Sequence, residues 1–248
     1  MKYFARSHEG LRRENNQDSV LVMENAYHAL LAVVCDGIGG GNAGDLASQM
    51  AVAHLQQCFE RVDIKSLKDI EVKHWLMQVI KEANDIIFTK AACHEDTVGM
   101  GTTMVGVIYC SDATYIFNVG DSRTYGLYED DFLCLTEDHS YVAELLKRGD
   151  ISEEEAKEHP NRNMLTNAVG VWNQVKVDIS KIKDDYMALL ICSDGLHGYV
   201  EEDLIQHILR SHHSTQAKVD MLIQAALEAG GYDNVSVIVL EQEEFAYV

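Results

Sequence analysis

Proline is almost absent: Pro160 is the only one in 248 residues. No Pro/Gly/Ser-rich stretch and no internal repeat divides the chain, so residues 1–248 are expected to form one domain with a large core. Long apolar runs are missing as well. None reaches the ~20 residues that span a bilayer, and the longest, residues 29–35, has the length of a strand. Residues 1–10 are polar and lack the apolar centre of a secretory signal, so a cytoplasmic protein with no membrane partner is expected. Basic residues are scarce: 20 Lys and Arg stand against 40 Asp and Glu, a net charge of −20. Such a surface repels nucleic acid and anionic lipid but suits cations. Cysteine pairs are lacking too. Cys35, Cys58, Cys93, Cys110, Cys134 and Cys192 are scattered without a CxxC spacing and read as reduced core thiols rather than zinc ligands or disulfides.

What is present is a set of short β-branched and aromatic runs. They predict strands over residues 2–6, 19–23, 27–35, 102–109, 113–119, 122–127, 132–135, 175–179, 186–192 and 235–240. Apolar residues at helical spacing predict helices over 43–59 and 70–93, with others over 142–148, 153–158, 201–210 and 216–229. Ser152 followed by Glu155 fits a capping box. Strands in bunches separated by helices do not read as βαβ repeats. They predict an α+β protein, and so many strands are best accommodated in two packed antiparallel sheets with helices outside.

Three segments run from an apolar strand into Asp and then Gly or a turn. They end at Asp36-Gly37, at Gly120-Asp121-Ser122-Arg123 and at Ser193-Asp194-Gly195, and Asp233 opens the last predicted strand. A lone Asp-Gly after a strand is usually a turn. Several carboxylates beside buried strands are costly unless paired, and hard divalent cations remove that cost. The carbonyl of Gly37 offers a further oxygen. The glycines from Gly37 to Gly41 lack the Lys-Ser/Thr of a phosphate-binding loop and serve instead to turn the chain into the helix from Ala43.

These residues carry a resemblance that runs almost end to end. The segments Gly10-Leu11-Arg12-Arg13-Glu14-Asn15-Asn16-Gln17-Asp18, Asp36-Gly37-Ile38-Gly39-Gly40 and Gly99-Met100-Gly101-Thr102-Thr103 come first. Gly120-Asp121-Ser122-Arg123, Thr136-Glu137-Asp138-His139-Ser140 and Leu165-Thr166-Asn167-Ala168-Val169-Gly170 follow, and Ser193-Asp194-Gly195-Leu196 and Asp233-Asn234-Val235-Ser236 close the series. In this order and spacing the chain resembles the metal-dependent protein phosphatases of type 2C, in their compact bacterial form. The resemblance implies a four-layer α-β-β-α sandwich and hydrolysis of phosphoserine and phosphothreonine in proteins. It implies two divalent cations, manganese or magnesium, with Asp36 bridging them, Gly37 completing one shell, and Asp194 and Asp233 holding the other. Asp121 would add a weaker third site together with Asp194. Arg13, rather than Arg12, would grip the substrate phosphate through its guanidinium fork. Asp18 would order metal-bound water, and Gln17 and Asn234 would support the ligands from behind. Phosphoprotein substrates, an opposing serine/threonine kinase and a monomeric state are the partners expected.

Two positions depart from the family pattern. Gln17 stands where many relatives carry Glu, which removes a negative charge and predicts weaker metal affinity. Ile38 stands where several eukaryotic relatives have a histidine proposed as general acid. His139 is expected to be structural, and His207, His212 and His213 to lie at the surface. Residues 139–163 match the family's variable flap, expected to be mobile and to touch substrate. A non-catalytic phosphoprotein-binding module is the rival reading, disfavoured because the metal aspartates are kept. A phosphorylated anti-sigma-factor antagonist is the rival substrate.

Overall fold

The computed structural model describes residues 1–40, 43–93, 95–110 and 113–242. Strands β1 (Lys2–His8), β8 (Arg123–Leu127), β9 (Phe132–Cys134), β11 (Ala188–Cys192) and β12 (Val235–Glu241) form one sheet in the order β1-β12-β11-β8-β9. Strands β2 (Ser19–Glu24), β3 (Leu30–Cys35), β6 (Met104–Cys110), β7 (Ala113–Val119) and β10 (Asp178–Ile182) form the second, ordered β10-β7-β6-β3-β2. Every pairing within both sheets is antiparallel. A small ribbon joins β4 (Gly37–Ile38) to β5 (Gly101–Thr102). The helices are α1 (Ala43–Phe59), α2 (Asp69–Ala91), α3 (Tyr141–Arg148), α4 (Glu153–Glu158), α5 (Asp194–His197), α6 (Glu202–Arg210) and α7 (Thr215–Glu228).

Strand periodicity builds the layers. Along β3, Leu31, Val33 and Cys35 pack with Ala47, Leu55, Leu76 and Ile80 of α1 and α2. The alternate residues Leu30, Ala32 and Val34 meet Leu189, Ile191, Ile238 and Leu240 of the opposite sheet. That sheet turns its other face, with Leu190, Val237 and Val239, to Ile205, Leu222 and Ile223 of α6 and α7. The result is the expected α-β-β-α sandwich, with central strands buried on both faces. Each fully buried Leu, Ile or Phe contributes roughly 1.5–3 kcal/mol of transfer free energy. Among the described residues no helix is long and apolar enough to cross a membrane.

Several predicted boundaries move, each for a local reason. The strand placed over 27–35 begins at Leu30, because Asn25 Oδ1 accepts the backbone N–H groups of Tyr27 and Ala29 and holds a turn with His28 at φ 60°. The strand placed over 102–109 is broken at Thr103, whose N–H donates to the Asp36 carbonyl at 2.8 Å. The strand placed over 175–179 begins at Asp178, since the Asn167 amide takes both the N–H and the carbonyl of Lys176. Asp36-Gly37 leads into the β4–β5 ribbon rather than a simple turn. The Ser152–Glu155 capping box is present. The thiols are not all in the core: Cys35, Cys110 and Cys192 are buried, but Cys93 and Cys134 are exposed. Gly41, one of the glycines assigned to the turn before α1, lies outside the described residues.

Register decides where the aspartates go. Cys35 at the end of β3 pairs with Ser19, next to Asp18. Val34 pairs with Val105 at the start of β6, and Met104 pairs with Val119, next to Gly120-Asp121. In the other sheet Cys192 pairs with Val237 and Arg123, and His8 pairs with Val235. Asp18, Asp36, Asp121, Asp194 and Asp233, together with the segment that carries Arg13, therefore gather at one end of the sandwich.

Candidate active site

The main chain fixes each carboxylate. The N–H of Asp36 donates to Thr103 Oγ1 at 2.9 Å, and its carbonyl accepts from Thr103 N–H and Thr102 Oγ1, both at 2.8 Å. Thr103 Oγ1 is in turn 2.8 Å from Ser122 Oγ, which ties the Asp36 and Asp121 strand ends together. Asp194 opens the single turn α5, where its carbonyl accepts from Gly198 N–H at 2.8 Å. Gly195 must be glycine: a Cβ there would stand 1.9 Å from the Asn234 carbonyl oxygen. Gly37 is equally confined, with the Gly44 and Gln17 carbonyl oxygens 2.2 and 2.5 Å from where its Cβ would be.

The sequence-predicted residues come together. Arg13 Nη2 donates to Asp233 Oδ2 at 2.7 Å, and the charges of Asp36 and Asp194 also act on that guanidinium. Arg12 instead lies over the Tyr232 ring, 5.9 Å from its centroid. Asp233 Oδ1 accepts from Asn234 N–H at 2.8 Å. Asn234 then stitches the amino-terminal segment to the site. Its Nδ2 donates to the Glu9 and Asn15 carbonyls at 2.8 and 2.9 Å, and its Oδ1 accepts from Gln17 N–H at 2.8 Å. The Gln17 carbonyl in turn accepts from Gly37 N–H at 3.1 Å and from Ser48 Oγ at 2.6 Å.

The electrostatics are those of crowded carboxylates. Burial, then repulsion from Asp18, Asp194 and Asp121, holds Asp36 well above the ordinary carboxylate range, and its carboxyl hydrogen-bonds to Asp194. Burial, then repulsion from Asp194 and Asp138, does the same to Asp121. Asp194 is pushed up to about 6 by burial and by Asp233, against the hydrogen bond from Asp36 and the charge of Arg13. Burial raises Asp18 to about 7, although Ser236 and Ser193 offset part of the shift. One oxygen each of Asp18 and Asp194 is buried without a hydrogen-bond partner. Oxygen ligands in surplus, starved of partners and mutually repelling, fit divalent cations of the magnesium and manganese class.

Sequence reasoning missed two members of this end of the molecule. Ser193 Oγ donates to Asp18 Oδ2, and His197 Nε2 lies 3.0 Å from the Asp121 carbonyl. A carbonyl can only accept, so the Nε2 of His197 carries a proton. Burial, with the charge of Arg123, lowers its pKa to about 3. The helical period around His197 is too short to have signalled it. His139 is structural, as expected. Its Nδ1 accepts from Gly120 N–H at 3.1 Å, and its Nε2 lies 2.9 Å from Asp178 Oδ2. Residues 139–163 carry α3 and α4, and a Ser140–Leu165 bridge joins the two ends of this segment.

Fold and site together define a four-layer α-β-β-α sandwich with a carboxylate centre at one end. The protein phosphatase 2C family model matches residues 6–229. A serine/threonine phosphatase stp from Listeria innocua is 40% identical over 238 residues, covering 96% of this chain and 94% of that protein. The crystal structure of the serine/threonine phosphatase Stp1 from Staphylococcus aureus superposes with a TM-score of 0.92 at 32% identity, over 98% of this chain and 95% of that one. The catalytic domain of the phosphatase PstP, in complex with two manganese ions, gives a TM-score of 0.84 at 29% identity over 97% of each chain. The chain belongs to the protein phosphatase 2C family.

Proposed function

We propose that this protein hydrolyses phosphoserine and phosphothreonine in phosphoproteins, using two divalent cations, manganese or magnesium, and that it opposes a serine/threonine kinase. The observation that carries this reading is the convergence of Asp36, Asp194, Asp233 and Arg13 at one end of the sandwich. The two-manganese complex of PstP, a related phosphatase, supports the metal requirement.

Asp36, Asp194, Asp233 and the Gly37 carbonyl would hold the two cations, and Asp121 with Asp194 a weaker third. When bound, the cations supply an activated water and neutralise charge on the phosphoryl oxygens. Arg13 binds and orients the phosphate with its guanidinium, which Asp233 positions at 2.7 Å. Asp18, tuned to about 7, can hold or release a proton near neutrality. Asn234 and the Gln17 backbone keep the Arg13 segment against Gly37. The flap lies at the rim: the charge of Arg162 reaches Tyr199, whose ring lies tilted against that of Tyr232 with centroids 5.5 Å apart. A mobile flap that touches substrate there suits a protein substrate, and the protein is read as a cytoplasmic monomer.

The test is hydrolysis of p-nitrophenyl phosphate and of a phosphothreonine peptide, with and without manganese. Turnover that requires the cation, and that disappears in a folded Asp36→Asn variant, is the expected result. Equal, negligible rates in both conditions overturn the reading.

A further inference from the structure

Three side chains between α1 and α2 take no part in the site described above. His54 and Cys58 lie one turn apart on α1, and Glu82 reaches them from α2. One ligand atom from each lies within 4.8 Å of the other two. Cys58 Sγ is 3.6 Å from His54 Nε2, and that nitrogen is 3.4 Å from Glu82 Oε2. The other Glu82 oxygen is held by Gln78 Nε2 at 3.0 Å, which leaves Oε2 to face His54.

The Cys58–His54 and His54–Glu82 separations match two edges of a zinc tetrahedron. Zinc bonds of ~2.3 Å to thiolate and ~2.05 Å to imidazole, at a tetrahedral angle, place sulfur and nitrogen ~3.6 Å apart. The corresponding imidazole-to-carboxylate edge is ~3.3 Å. The geometry points to a second metal site, at His54, Cys58 and Glu82, for a thiophilic divalent cation of the zinc class, with water as fourth ligand. A thiolate selects such a cation over the magnesium and manganese that suit the aspartates. Entry is open: the Glu82 side chain is 45% exposed and His54 19%.

Binding forms a sulfur–metal bond and releases the Cys58 proton to solvent, with no change of oxidation state. Burial and the charge of Glu82 hold the Cys58 thiol above its ordinary pKa, and Arg61 offsets part of this. The bound cation cancels the Glu82 repulsion. Because α1 also packs on β4, directly after Asp36, a cross-link from α1 to α2 braces the layer behind the site.

The experiment is cobalt titration of the full chain loaded with magnesium, read by absorbance. A thiolate-to-cobalt charge-transfer band saturating at a single equivalent is expected. It should persist in Cys93→Ser, Cys134→Ser and Asp36→Asn, and vanish in both Cys58→Ser and Cys58→Ala. His54→Gln should weaken binding by at least roughly tenfold. Zinc should displace the cobalt and raise the melting temperature of the parent protein but not of Cys58→Ser. Circular dichroism shows whether each variant is folded, and phosphatase activity serves as a second check for the cysteine and histidine variants only. Absence of the band, or its survival in the folded Cys58 variants, overturns the proposal.

Discussion

Ser193 Oγ donates to Asp18 Oδ2 at 2.8 Å, joining residues 175 positions apart. The same oxygen accepts the Ser236 N–H at 2.9 Å. One hydroxyl thus holds a carboxylate already short of partners and one end of the β11–β12 register. Replacing Ser193 by Ala leaves the buried Ser236 N–H unpaired and takes from Asp18 one of its two serine partners, a cost of about 1–3 kcal/mol. Urea unfolding should show that loss with an unchanged m-value. An unaltered midpoint would mean that the hydroxyl is dispensable.

The sequence-derived elements are most accurate where packing and local propensity agree. Helix α1, strand β7 and helix α4 begin and end where their periodicity places them. Three of the boundaries that moved share a cause that periodicity cannot carry, namely side chains bonded to a main chain. Asn25 holds its own turn, the Thr102 and Thr103 hydroxyls bond the backbone of Asp36, and Asn167 claims that of Lys176. The site is a similar case. Each aspartate read alone is a turn, and only the motif series suggested a centre. Their convergence depends on which strands pair, and that was not legible. His197 was invisible because its partner is a carbonyl 76 residues away.

Gly37 and Gly40 give a matched pair of substitutions. A Cβ on Gly37 would meet two backbone oxygens at 2.2 and 2.5 Å, whereas one on Gly40 meets nothing within 4 Å. Backbone cannot rotate aside, so Gly37→Ala should cost about 1–3 kcal/mol, the usual range for overpacking, and displace the segment after Asp36. Gly40→Ala should change stability by less than about 0.5 kcal/mol. Thermal melts and phosphatase rates of the two variants check this, and equal behaviour would contradict the close approach of β4 to α1.

Metal binding should release protons. Asp18 and Asp194 sit at about 7 and about 6, and Asp36 and Asp121 are raised as well, chiefly by burial. Folded pKa values above unfolded ones mean that the metal-free protein holds extra protons. Its stability from these groups is greatest at low pH and falls as pH rises through about 6–7. A cation replaces those protons, so manganese affinity should rise with pH by up to about tenfold per unit for each proton displaced. Calorimetry at pH 6 in two buffers of different ionisation enthalpy counts the protons. The melting-temperature gap between metal-loaded and metal-free protein should widen from pH 5.5 to pH 8. No buffer dependence together with a constant gap would remove the carboxylate crowding as the reason for metal binding.

His197 acts in the opposite direction. Its folded pKa of about 3 lies below the ordinary 6.5, first because of burial and then because of the Arg123 charge, against the pull of Asp138 and the Asp121 carbonyl. Below pH 6.5 the unfolded chain takes up a proton that the folded chain refuses. Stability from this residue is therefore complete above about pH 6.5 and declines as pH falls towards 3, by up to ~1.4 kcal/mol per unit. His197→Gln removes the titration and disturbs the bond to Asp121. At pH 7.5 the variant should be less stable by about 1–3 kcal/mol. At pH 4.5 that deficit should shrink or reverse, since only the parent protein is then penalised for keeping a neutral imidazole. Urea unfolding of both proteins across this range gives the difference directly, free of the aspartate titrations they share. A deficit that stays constant with pH would mean that His197 takes up its proton freely in the folded protein, and no deficit at pH 7.5 would mean that its Nε2–H does not anchor Asp121.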